Sequence, residues 1–169
     1  EKQRLRWDVL DAFAQAAQEA GIAATDDFNR GTNEGVGYFE VNQKSGWRWN
    51  TAKAFLRPTC YGRPNFEMWT SAQATQLIIE TQPDGSRRCT GVKVWDGHEM
   101  VTAHAAREVV LSAGAVNSPQ LLQLSGIGPA ALLRQHGIDV VQDLPGVGAN
   151  LQDHLQIRSV YKVQNVPTL

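Results

Sequence analysis

The spacing of apolar and polar positions divides the chain into segments of different period. Across residues 4 to 20, Leu5, Val9, Leu10, Phe13, Ala16, Ala17 and Ala20 recur near helical spacing, and Gly21 follows as a stop. That pattern predicts an amphipathic packing helix. From Ile22 to Gly46 the period dissolves into a long glycine-bearing loop, of the kind that often lies over a functional surface. Gly35-Val36-Gly37 inside it is not read as a phosphate loop, because a preceding strand, a third glycine and a following helix are all missing. Further on, Asn50 reads as an N-cap, Ala52 to Leu56 as a short helical piece and Pro58 as its end. Trp47 and Trp49 are expected in core or interface packing rather than against a substrate.

The period then changes. Glu67 to Trp69 and Ala72 to Glu80 read as a strand-like pair, with Leu77-Ile78-Ile79 the most buried part. Pro83-Asp84-Gly85 is a turn, followed by a strand over Cys89 to Trp95, the Asp96-Gly97 hairpin turn and a strand over Glu99 to Ala103. Together these predict a β-meander.

The stretch from Val109 to Gly128 is the most informative. Val109-Val110-Leu111 suits a strand buried on both faces. It breaks into Ser112-Ala113-Gly114-Ala115, where every side chain is small. Small residues at the end of a buried strand let a large group approach the backbone, and Gly114 can take a positive φ angle. Asn117 or Ser118 is then expected to cap a helix with Pro119 in its first turn, and with Leu121, Leu122 and Leu124 on its apolar face. Gly126 and Gly128 end it. Strand, small-residue turn and helix is the arrangement that holds a cofactor at the edge of an α/β sheet, and equally that of an ordinary β-α connection.

After this stretch, Pro129 to His136 reads as a second helix ended by Gly137, and Ile138 to Val141 as a strand. Leu144 to His154 reads as a tight turn in which Asn150 and Asp153 cap backbone groups. His154 beside Asp153 is not read as a catalytic pair, because adjacent residues do not face each other. Ile157 to Val163 alternates as a half-buried strand would.

Composition narrows the classes. The 169 residues suffice for a real core, and 16 basic against 17 acidic residues leave a formal charge of -1, with no nucleic-acid footprint. Cys60 and Cys89 lack metal-ligand spacing and point to a reduced, cytosolic setting. His98, His104, His136 and His154 are scattered and give no zinc pattern. No stretch reads as a signal peptide or approaches the ~18 apolar residues of a membrane span. Both ends read as cut, so the chain is expected to be an internal piece of a longer protein.

Gly114 to Gly128 resembles the second signature of the glucose-methanol-choline (GMC) family of flavoprotein oxidoreductases. The matching elements are Gly114-Ala115, Ser118-Pro119, Leu121-Leu122 and Ser125-Gly126-Ile127-Gly128. Phe28 to Tyr38, Gly46 to Pro58 and Leu144 to His154 are similar to three further family segments, the last being L-P-G-V-G-x-N-L-Q-D-H. The resemblance, closest to bacterial choline dehydrogenase and alcohol dehydrogenase, implies an α/β chain (α+β overall). It would hold part of a Rossmann-like FAD-binding domain with its meander, over residues 60–153. Residues 1–59 and 154–169 would be pieces of an antiparallel-sheet substrate domain.

By the same resemblance the cofactor is FAD. Ala74 would present its backbone to the adenine, and Ala113 and Gly114, with Ser112 beside them, would form one wall of the flavin site by close approach. The resemblance also implies oxidation of a primary alcohol or choline-like CH–OH donor by hydride transfer to flavin, with oxygen or a quinone as electron acceptor. The family's pyrophosphate-binding G-x-G-x-x-G and its catalytic His with a His or Asn partner do not occur in this chain, so no catalytic residue is expected in it. Its partners are then a small alcohol and the remainder of its own polypeptide, with no nucleic acid, in the cytoplasm or peripheral to the inner membrane. A lyase that keeps FAD without net redox chemistry is one alternative, and a piece with no activity of its own is another.

Overall fold

A computed structural model describes residues 6 to 167. The chain divides into two compact units: residues up to Glu67 together with those from Ile157 form one, and Met68–Gln156 the other.

In the first unit, α1 spans Asp8–Glu19, with Asp8 and Asp11 in its first turn, where acidic groups suit the helix dipole. Its C-terminus closes as a Schellman motif. Gly21 has φ +89°, its N–H donates to the Gln18 carbonyl (3.0 Å), and the Ile22 N–H donates to the Ala17 carbonyl (3.0 Å). Leu5 lies outside the described residues, and Leu10 and Phe13 on the apolar side of α1 remain exposed. The glycine-bearing loop holds more order than its composition suggests. Ala24 bridges Val36 in parallel, and β1 (Gln43–Lys44) pairs antiparallel with β2 (Trp47–Arg48). Ser45 and Gly46 both have positive φ (53° and 83°), as a type I′ hairpin turn requires.

Asn50 caps as expected, its Oδ1 accepting from the Lys53 N–H at 3.0 Å. The helical piece runs on past Pro58, however: a π-type turn over Ala52–Leu56 continues into α2, Arg57–Thr59. Pro58 lies inside this continuous run and, without an N–H, leaves the Ala54 carbonyl four residues earlier without that donor, instead of ending the helix. Trp47 is not in a core. It is 71% exposed, and the Lys53 ammonium lies 5.7 Å from its ring centre.

In the second unit the meander forms with β3 (Gln73–Thr81), β4 (Arg87–Trp95) and β5 (Met100–His104) in antiparallel order. Glu67 to Trp69 adds no strand, because the ladder begins at Gln73 paired with Trp95. At the β4–β5 turn, Asp96 Oδ1 accepts from the His98 and Glu99 N–H groups, both at 2.8 Å. Those two bonds, Glu99 first, hold its carboxyl below the usual range. α3 covers Gly114–Leu124, β6 Ile127–Gly128, α4 Ala130–Gln135 and β7 Gln142–Asp143. β6 and β7 pair in parallel, so the expected strand at Ile138 to Val141 forms later, at Gln142, where the Gly126 and Gly128 carbonyls find donors. The core gathers here: Leu77, Val94, Leu121, Ala130 and Leu133, with Ser125 as its one buried polar side chain among the described residues.

Two expected strands are absent. Val109-Val110-Leu111 lies in no ladder and Val110 is 77% exposed; Ile157 to Val163 likewise lies in no ladder, with its side chains exposed. A strand needs a neighbouring strand for its backbone groups, and neither segment joins a ladder among the described residues.

Candidate functional site

The small-residue turn sits at the head of α3, with Ser112, Ala113, Gly114 and Ala115 all exposed. The helix starts at Gly114, several residues before the expected Asn117 or Ser118 cap. Ser118 serves the turn in another way, its Oγ accepting from the Ala113 N–H at 3.0 Å. Pro119 therefore lies inside α3 and offers no N–H to the Ala115 carbonyl four residues earlier. Gly114 has φ +91°, a conformation L side chains rarely adopt. A Cβ built there would meet no atom within 4 Å. The backbone thus favours glycine, and the space beside it is open.

Ala74 lies exposed on β3, opposite Val94 and beside an irregularity in the ladder between Ala74 and Gln76. It is separate from the turn in sequence, but the two elements are joined. Ser125, 4% exposed at the end of α3, accepts from the Leu77 N–H (2.8 Å) and donates to the Leu121 carbonyl (2.6 Å). Its neighbours Leu124 and Gly126 gave no hint of this role; only the signature Ser125-Gly126-Ile127-Gly128 singled the residue out.

The other side of α3 faces the Leu144 to His154 segment across a groove of about 600 Å³. Ala115, Pro119 and Gln120 line it from the helix, and Gly148, Asn150 and Gln152 from the segment. Gln123 Nε2 donates to the Val147 carbonyl (3.0 Å) and packs where a Cβ on Gly148 would come within 2.9 Å. Asp143 Oδ1 accepts from the Ala130 N–H (2.9 Å) and so caps α4. The tight turn at Pro145 to Gly148 is present, with Gly148 at φ +82°. Of the two expected caps in the segment, Asp153 accepts from its neighbour His154 N–H at 2.8 Å. Asn150 takes φ +57° and its side chain makes no hydrogen bond among the described residues. None of His98, His104 and His154 lines this groove.

Comparison with known proteins bears on what such a site serves. The model of the GMC oxidoreductase family matches residues 4–156. An alcohol dehydrogenase (acceptor) from Pseudomonas putida is 48% identical over 148 residues, which cover 86% of this chain and 26% of that protein. An oxygen-dependent choline dehydrogenase from Brucella anthropi is 44% identical over 149 residues, with 88% and 26% covered. Among solved structures, an FAD-dependent oxidoreductase from Chaetomium thermophilum superposes with a TM-score of 0.74 at 27% identity, over 86% of this chain and 25% of that one. Pyridoxine 4-oxidase from Mesorbium loti gives 0.73 at 28% identity, over 82% and 26%. The chain spans about a quarter of the length of the curated relatives it matches. The match runs through the meander, the small-residue turn and both segments that line the groove, and the chain belongs to the GMC oxidoreductase family.

Proposed function

We propose that the polypeptide carrying this chain is an FAD-dependent oxidoreductase acting on the CH–OH group of a small alcohol, a primary alcohol or a choline-like one. This chain supplies one wall of its flavin site. The observation that carries the reading is Gly114: a positive φ with open space beside it, inside a run of exposed small residues. The residues here fit a flavin in that the turn offers backbone and no bulk. FAD, when bound, supplies the hydride acceptor. Ala113 and Gly114 would hold it by close approach, with Ser112 at the edge and Ala74 toward the adenine. This chain contributes binding and orientation; the base that takes the hydroxyl proton would come from elsewhere in the polypeptide. The names of the relatives, alcohol dehydrogenase and choline dehydrogenase, support the substrate class.

The test is anaerobic. Primary alcohols and choline are added in turn to the intact polypeptide while its flavin absorbance is followed. Bleaching by at least one of them, reversed by oxygen or a quinone, is expected. A bound flavin that no alcohol reduces would overturn the oxidoreductase reading in favour of a non-redox role.

A further inference from the structure

Ser125 is a buried hydroxyl that the reading above does not use. It is the core's one buried polar side chain among the described residues, and both its hydrogen bonds are short and complete. One ties it to its own helix. The other takes the Leu77 N–H, on the side of β3 that β4 does not fill. No other hydrogen bond joins residues of β3 to residues of α3 among the described residues. Ala74 lies three residues before Leu77, on the order of 10 Å along the strand. Gly114 lies eleven residues before Ser125, on the order of 16 Å along the helix. Beside the packing of Leu77 and Leu121 in the core, a single side chain therefore supplies the hydrogen-bonded tie between the two elements that carry the proposed flavin contacts.

We infer that Ser125 is a positioning residue for the flavin: it locks β3 to α3 so that Ala74 and the Gly114 turn address one cofactor together. The inference rests on the flavin reading just given. Without the hydroxyl the Leu77 N–H, on a residue that is itself buried, loses its acceptor and drifts toward another. The helix then keeps its fold but not its register against the strand. Gly126, immediately after Ser125, limits how far the helix end can move, because a Cβ there would already sit 2.5 Å from the Asp139 carbonyl oxygen.

The test uses the intact polypeptide with its flavin, in four forms: wild type, Ser125→Ala, Ser125→Thr, and Leu133→Val as a core control outside the tether. Flavin dissociation constant, shape of the bound flavin's visible spectrum, and Tm of the apoprotein are read for each. Ser125→Ala is expected to weaken flavin binding about tenfold more than the control at a matched fall in Tm, and to alter the spectrum. Ser125→Thr, which keeps the hydroxyl, is expected to recover most of both. Where Ser125→Ala yields no soluble protein, Ser125→Cys takes its place, near-isosteric and a much weaker hydrogen-bonding group. Flavin affinity that falls only in proportion to Tm, or that Ser125→Thr fails to recover, would overturn the positioning role. Absence of flavin from the wild type would instead overturn the flavin reading itself.

Discussion

Replacing Leu133 with alanine is expected to cost about 2–5 kcal/mol, because this side chain is 1% exposed and its loss leaves a cavity that close neighbours such as Gly128 cannot fill. Chemical denaturation of the intact polypeptide checks this through a shifted midpoint at unchanged slope. Gly126→Ala is expected to be destabilising for a different reason. Its φ of +83° and a Cβ 2.5 Å from the Asp139 carbonyl oxygen force both backbone strain and a shift of the β7 approach. A loss of roughly 1–3 kcal/mol is expected from strain alone, and a Tm within error of wild type would contradict it. At this scale the sequence was readable where a residue type has one physical use. Gly21, Gly97 and Gly137 all adopt the positive φ expected of glycines that close helices and turns. The role of Ser125 was not readable so, since a serine at a helix end has several uses and only the fold brings Leu77 to it.

Among the elements, those made by local hydrogen bonds follow the sequence and those made by distant partners do not. The meander is set by its turns. Asp84 and Asp96 both take backbone N–H groups beyond their own residue, and both carboxyls lie below their ordinary range. For Asp96 the first cause is the Glu99 N–H, then that of His98; for Asp84 it is Ser86. Because the folded carboxyl is the stronger acid, the unfolded state binds the proton more readily as pH falls. The stabilisation from each is present above the unfolded carboxylate range and is lost as pH drops through the lowered folded value. The protection of the His98 and Glu99 amides from exchange, taken relative to the intrinsic rate at each pH, should therefore fall on acidification through that value. In Asp96→Ala it should be low, relative to wild type, already at neutral pH. Protection at these two amides that ignores both acid and the substitution would contradict the assignment. Val109 to Leu111 and Ile157 to Val163 show the other case. Their apolar patterns are strand patterns, but a strand is completed by a neighbour, and pattern alone cannot supply one. The shift of the α3 start belongs here too. Pro119 was placed in the first turn on its frequency there, yet Ser118 satisfies the Ala113 N–H and lets the helix begin at Gly114.

At the scale of the molecule the exposed apolar surface is the telling feature. Within each unit large apolar side chains lie open: Phe13, Phe39, Trp47 and Ile157 in the first, Val110, Leu151 and Leu155 in the second. Such surface asks for cover, and relatives four times as long have chain to give it. Expressed by itself, the chain is expected to bind a hydrophobic dye strongly and to self-associate; a monodisperse, dye-silent preparation would contradict that expectation. No helix among the described residues is long and apolar enough to cross a membrane. What was legible at this scale was membership of a family, because its fixed residues mark turns and close approaches that survive in a single chain. What was not legible was the parallel pairing of β6 with β7, which joins Ile127 to Gln142 across the whole of α4.

The central claim is that the turn at the head of α3 forms a wall of a flavin site, and Gly114→Val in the intact polypeptide tests it most directly. The measurement is the ratio of bound FAD to protein after purification, beside wild type, with far-UV circular dichroism confirming that both are folded. The account predicts about one FAD per wild-type chain and a variant that is folded but largely stripped of flavin, since the added methyl groups fill the open space and the positive φ resists them. A folded Gly114→Val protein with its full complement of FAD would contradict it.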